Sequence, residues 1–143
     1  MKRKILEAAC VLACVLAPVS AWAAQVTVTD AWIRALPGNA AGYFTLRNDG
    51  ATPIVLNGAA SDGCGMIMLH KSESNGGMSS MADVAEVKLA PNETVKFEPG
   101  SYHLMCMNPK PSLKPGSEAT VTLQFADKSH TAVRFAVKNA AGH

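Results

Sequence analysis

Two runs near the end of the chain narrow the folds available to it. Val121, Leu123 and Phe125 alternate with polar neighbours, Asp127-Lys128-Ser129 turns the chain, and Val133, Phe135 and Val137 alternate again. A period of two places the apolar side chains of each run on one face, so the pair predicts an antiparallel hairpin with one face buried. Shorter extended runs precede it at Gln25 to Thr29, Gly42 to Arg47, Ile54 to Leu56, Cys64 to His70, Val84 to Leu89, Thr94 to Phe97 and Tyr102 to Met107. Breaks rich in Gly, Pro and Asn separate them, including Leu36-Pro37-Gly38-Asn39 and Asn48-Asp49-Gly50. Strands recurring about every 8–12 residues, with turn signals between them, predict an all-β sandwich in a single domain. The Ser/Gly/Asn-rich stretch from Ser72 to Ser80 reads as a loop.

The chain begins like an exported protein. Met1-Lys2-Arg3-Lys4 is a basic lead, Ile5 to Val19 is mostly apolar despite Glu7, and Ala21-Trp22-Ala23 has the small-x-small form of a cleavage site. Residues 1–23 are therefore expected to be a signal peptide, cleaved after Ala23 to leave a periplasmic domain of residues 24–143. The apolar run is shorter than the roughly 20 residues of a spanning helix, so no membrane anchor is expected. A lipoprotein would need Cys10 or Cys14 as its acylated residue; Val11-Leu12-Ala13-Cys14 comes near such a box but leaves little apolar sequence before it.

Without the signal, the charge balance changes. The whole chain holds 13 Lys+Arg and 11 Asp+Glu; Lys2, Arg3, Lys4 and Glu7 belong to the signal, leaving 10 of each. A domain of zero formal net charge has no electrostatic bias toward nucleic acid or an anionic membrane. Independently of charge, a monomer is expected. No G-x-S-x-G element or glycine-rich phosphate loop occurs and the acidic residues are dispersed, so no enzyme activity is expected.

Chemistry concentrates in the middle of the chain. Apart from Met1, every methionine (Met66, Met68, Met78, Met81, Met105 and Met107) falls between residues 66 and 107, together with His70 and His103. In an extended chain Met66, Met68 and His70 share one face, and so do His103, Met105 and Met107. If those two strands are neighbours, imidazoles and thioethers converge. Thioether sulfur is soft and selects Cu(I) over hard divalent ions, while imidazole serves copper in either oxidation state. Neither the proton nor the oxidation that compromises a thiolate affects a thioether ligand in the same way, which suits an oxidising compartment. The competing reading is that methionine fills gaps in an irregular core. His130, in the predicted turn, and His143, at the terminus, are expected to be solvated.

These residues also carry a family resemblance. His70, ten intervening residues, Met81, twenty-one more, then His103-Leu104-Met105 is similar to the H-x10-M-x21-H-x-M pattern of the periplasmic CuA copper chaperone family. Asp30-Ala31-Trp32-Ile33-Arg34, Ala41-Gly42-Tyr43-Phe44, Pro99-Gly100 and Thr122-Leu123-Gln124-Phe125 extend the resemblance over most of residues 24–143. It implies a cupredoxin-like antiparallel Greek-key sandwich that binds Cu(I) through His70, Met81, His103 and Met105. It also implies delivery of that copper toward cytochrome oxidase, with the CuA subunit or a thiol-bearing assembly protein as partner. Met78, in the same predicted loop as Met81, is the reserve ligand. Cu(II) is compatible with the two imidazoles.

Three roles use such a site: copper delivery, copper sequestration or tolerance without delivery, and blue-copper electron transfer. The last needs a Cys thiolate beside two His and a weak axial Met, and Cys106 is followed by Met107-Asn108-Pro109-Lys110 with no His close behind. Cys64 and Cys106 are the cysteines outside the signal, and the compartment favours their pairing. Strand parity opposes it, because Cys64 shares a face with His70 while Cys106 lies opposite His103; a bulge at Gly63 or Gly65 would reconcile the two.

Overall fold

The computed structural model describes residues 25–143. The expected signal peptide and the Cys10 or Cys14 alternative fall outside the described residues. Ten strands follow in order: β1 (Val26–Leu36), β2 (Asn39–Asn48), β3 (Ile54–Ala60), β4 (Cys64–Asn75), β5 (Met78–Asp83), β6 (Val87–Leu89), β7 (Thr94–Phe97), β8 (Tyr102–Pro109), β9 (Glu118–Phe125) and β10 (His130–Lys138). Their hydrogen-bonded order is β5-β4-β8-β7-β2-β1-β10-β9-β3-β6, with β8 also pairing β2. The sheet folds over on itself, so that the inward faces of its two halves enclose one core. The closing hairpin is β9–β10, with Val121, Leu123, Phe125, Phe135 and Val137 all buried. Most ladders are antiparallel as expected, but β1 with β10 and the single bridge between β7 and β8 are parallel.

Two departures from the sequence reading matter for the site. The first short strand is longer than its alternation suggested. It passes through a bulge between Thr29 and Trp32, where Asp30 takes a φ of 54°, and continues to Leu36. The inserted residue switches parity. Val26 and Val28 point inward before the bulge, and Ala31, Ile33 and Ala35 after it, which leaves Trp32 and Arg34 on the outer face. The second departure is at Ser72 to Ser80. Instead of a loop, β4 runs on to Asn75, turns through Gly76-Gly77 at φ values of 59° and 85°, and returns as β5. Positive φ at both turn positions is the signature of the tight hairpin turn that glycine supplies without steric cost.

The cysteines are bridged, with Cα atoms 5.6 Å apart. The expected bulge is absent from the β4–β8 register. Cys64 is the first residue of β4, leaving a turn closed by its N–H to the Ser61 carbonyl, and the facing strand passes through Asn108 at a φ of 51°. At that ladder end the alternation is relaxed, and both Cys64 and Cys106 join the core.

Candidate metal centre

The site is built on the outer face of β4 and β8. Their register sets Met66 opposite Met107, Met68 opposite Met105 and His70 opposite His103. Directly opposed residues of an antiparallel pair share a face, so the parity expected from the sequence holds for both strands. Leu69, Leu104 and Cys106 point the other way, into the core. Alternation thus anchors each strand by one face and frees the other for chemistry.

His70 and His103 meet edge to face, with ring centroids 5.6 Å apart. His103 is 3% exposed and Met105 8%, although both lie on the outer side of the sheet. Their cover is a wall of side chains from β1 and β2. The bulge in β1 brings Trp32 opposite Tyr43 and Arg34 opposite Ala41; Ala41 in turn lies opposite Met105. The Trp32 and Tyr43 rings are 4.9 Å apart, the Arg34 guanidinium sits 5.5 Å from the Tyr43 ring, and the Tyr43 ring is 6.4 Å from that of His103. Burial raises the Tyr43 phenol above its ordinary value, with Arg34 opposing the shift.

A cleft of about 260 Å³ opens beside this wall, and its lining includes Arg34, Tyr43, Ser72, Met81, His103 and Met105. Met81 reaches it from β5, where it pairs with Ser72, two residues along the same face from His70. His70 is not part of the cleft lining and joins the group through its contact with His103. Met78 pairs with Asn75, which lies on the opposite face of the β4–β5 hairpin from Ser72. Met78 is therefore not placed to replace Met81, and the reserve-ligand role does not fall to it.

The ring nitrogens are prepared for a ligand. The His103 Nδ1–H donates to the Ser101 carbonyl at 3.2 Å, which fixes the tautomer and leaves Nε2 as a lone pair. That Nε2 is buried without a hydrogen-bond partner, as are both nitrogens of His70. His70 Nε2 lies 2.9 Å from Asp83 Oδ1, but outside hydrogen-bonding alignment. Buried polar atoms are normally satisfied, so the two imidazole nitrogens with no polar partner, His70 Nδ1 and His103 Nε2, point to a ligand. Burial holds His103 below the ordinary histidine value; the Ser101 carbonyl acts against this and the neighbouring His70 reinforces it. A neutral ring is the form that binds metal. Among the described residues no three His, Cys, Asp or Glu side chains converge. Thioethers are what can complete the donor set beside the two imidazoles. Cys106 is not available, because the disulfide consumes its thiol. This removes the thiolate that a blue-copper centre requires.

Two partners of the histidines, the Ser101 carbonyl and Asp83, were not anticipated. A backbone acceptor leaves no trace in residue identity, and Asp83 becomes a neighbour of His70 only because β5 is a strand. Trp32 and Arg34 stood in a segment noted only for its family resemblance, and Tyr43 in one read as a strand without a role at the site. His130 and His143 are exposed, as expected.

A family model of LpqE-like lipoproteins matches residues 26–137. The chain belongs to the LpqE-like family. Among its relatives, Lxx21020 of Leifsonia xyli subsp. xyli is 29% identical over 119 residues, covering 82% of this chain and 72% of that protein. The copper-bound PCuAC domain from PmoF2 superposes with a TM-score of 0.67 at 21% identity, covering 82% of this chain and 96% of that domain. The solution structure of CuI-DR1885 from Deinococcus radiodurans gives 0.63 at 27% identity, covering 84% and 81% respectively. These likenesses give this LpqE-like chain the cupredoxin-like β-sandwich fold. Among the described residues no helix is long and apolar enough to cross a membrane.

Proposed function

We propose that this protein is a periplasmic copper chaperone that holds one Cu(I) through His70, Met81, His103 and Met105 and delivers it to cytochrome oxidase copper-centre assembly. The observation that carries the reading is the pairing of His70 with His103 across β4 and β8, with unpaired ring nitrogens and thioethers from two strands beside them. The copper-bound PmoF2 domain and CuI-DR1885 support copper as the cargo.

The chemistry follows from donor type. Two neutral imidazoles and two neutral thioethers suit a soft monovalent cation, and the imidazoles can also serve Cu(II) before reduction. His103 and Met105 are buried and held by the core-anchored β8, whereas Met81 is 61% exposed on an edge strand. Release therefore begins at Met81: a partner's thiolate takes the position of that thioether, and the remaining ligands follow. Transfer runs from a Met/His site to a Cys-containing one, either the oxidase CuA subunit or a thiol-bearing assembly protein.

A competition titration against a Cu(I) chelator tests the ligands; the His103→Ala, Met105→Ala double variant should lose most of the affinity, and wild-type affinity in it would sink the assignment. Delivery is tested by mixing copper-loaded protein with the apo CuA domain, with and without the thiol-bearing protein, and following the metal. Copper that stays on this protein under every reducing condition, with oxidase activity intact in a deletion strain at limiting copper, would leave sequestration in its place.

A further inference from the structure

Beyond the four proposed ligands, β4 and β8 carry three more methionines that neither the core nor that site uses. Among the described residues the exposed large hydrophobic side chains are Met66, Met78, Met81 and Met107, all of them methionines. Met66 is 59% exposed and Met107 40%, and they stand directly opposite each other. Such exposure removes the gap-filling explanation for these two. Met68 is the next residue on the same face, opposite Met105. Opposed residues have Cβ atoms about 4.5–5.5 Å apart, and two residues along a strand advance about 7 Å. Three flexible thioethers thus border one patch, one pair of rungs from His70 and His103.

We propose that Met66, Met68 and Met107 form a second, weaker Cu(I) position, from which the ion passes to or from the His70/His103 site along the outer face of β4 and β8. The proposal rests on the Cu(I) reading of that site. Three neutral sulfurs without an imidazole select a soft monovalent cation and hold it loosely. A thioether needs no deprotonation, so this position loads without releasing a proton. Met105, opposite Met68, belongs to the inner site, so the two positions adjoin. The ion keeps its charge throughout and only exchanges ligands.

The test is an anaerobic Cu(I) titration of the whole protein, followed through methionine methyl and histidine ring NMR signals, with the Met66→Leu, Met68→Leu, Met107→Leu variant in parallel. Wild type should take a first equivalent that moves the His70 and His103 signals. A second, at least about tenfold weaker, should move the methyls of Met66, Met68 and Met107. The leucine variant should keep the first step and lose the second. A first step without any shift of those three methyls at higher copper overturns the second position, as does a second step that persists in the leucine variant. Absence of the first step in wild type would instead overturn the proposed function. The methyl readout comes from wild type, so it holds even if the triple variant folds poorly.

Discussion

Cys64 and Cys106 are joined across the same two strands whose other ends set His70 opposite His103. The bridge fixes β4 to β8 at the core face, while the imidazoles meet on the outer face. Closing a 42-residue separation restricts the unfolded chain and stabilises the fold by roughly 2–4 kcal/mol. The Cys64→Ala, Cys106→Ala variant should show a loss of that size in urea unfolding. Alkylation of the native protein without reductant should label neither cysteine; two labelled thiols would exclude the bridge.

Asn48 should be a second point of fragility. It is fully buried at the end of β2, and its Nδ2 donates to the carbonyls of Thr52, Leu89 and Ala90 while Oδ1 accepts from the Gly50 N–H. Asn48→Ala leaves those backbone groups short of partners and opens a cavity, at a cost of roughly 2–4 kcal/mol. A change below about 0.5 kcal/mol in denaturant unfolding would show that water replaces the amide at no penalty.

The acid limb of stability should involve the β9–β10 turn. Asp127 accepts from the Ser129 hydroxyl at 2.5 Å and from its N–H at 2.9 Å, and these bonds hold its carboxyl below the ordinary value. A pKa lowered in the folded state stabilises above the unfolded value, near pH 4, and that contribution disappears as pH falls through the folded pKa. Asp127→Asn should therefore be less stable than wild type at pH 6. The difference should shrink on acidification until the two curves meet, and a gap constant with pH would refute the linkage.

Legibility followed physical signal. Strand parity in Cys64 to His70 and Tyr102 to Met107 is enforced by a core on one face, so the shared face of Met66, Met68 and His70, and that of His103, Met105 and Met107, follow from residue order alone. β5 had no such signal, because five of its six residues are exposed and no apolar alternation marks it. Asn75-Gly76-Gly77 did carry a hairpin-turn signal, but its polar composition read as loop. Asn48 was legible as a turn residue only, since its partners Leu89 and Ala90 come from the far side of the chain. The disulfide defied parity because alternation is weakest at a strand's first residue, where Cys64 sits.

The same hairpin separates Met81 from Met78. Both are exposed methionines of β5, but Met81 lies opposite Ser72 on the face of His70, and Met78 opposite Asn75 on the other. A ligand role should follow the face rather than the residue type. Met81→Leu keeps volume and apolarity and removes the sulfur, and should weaken Cu(I) binding by at least about tenfold, equivalent to about 1.4 kcal/mol. Met78→Leu should stay within about twofold of wild type, a difference of about 0.4 kcal/mol. Chelator competition on the two single variants measures both. Equal weakening would mean that the hairpin twists enough on binding to present both faces, and weakening by Met78→Leu alone would remove Met81 from the ligand set.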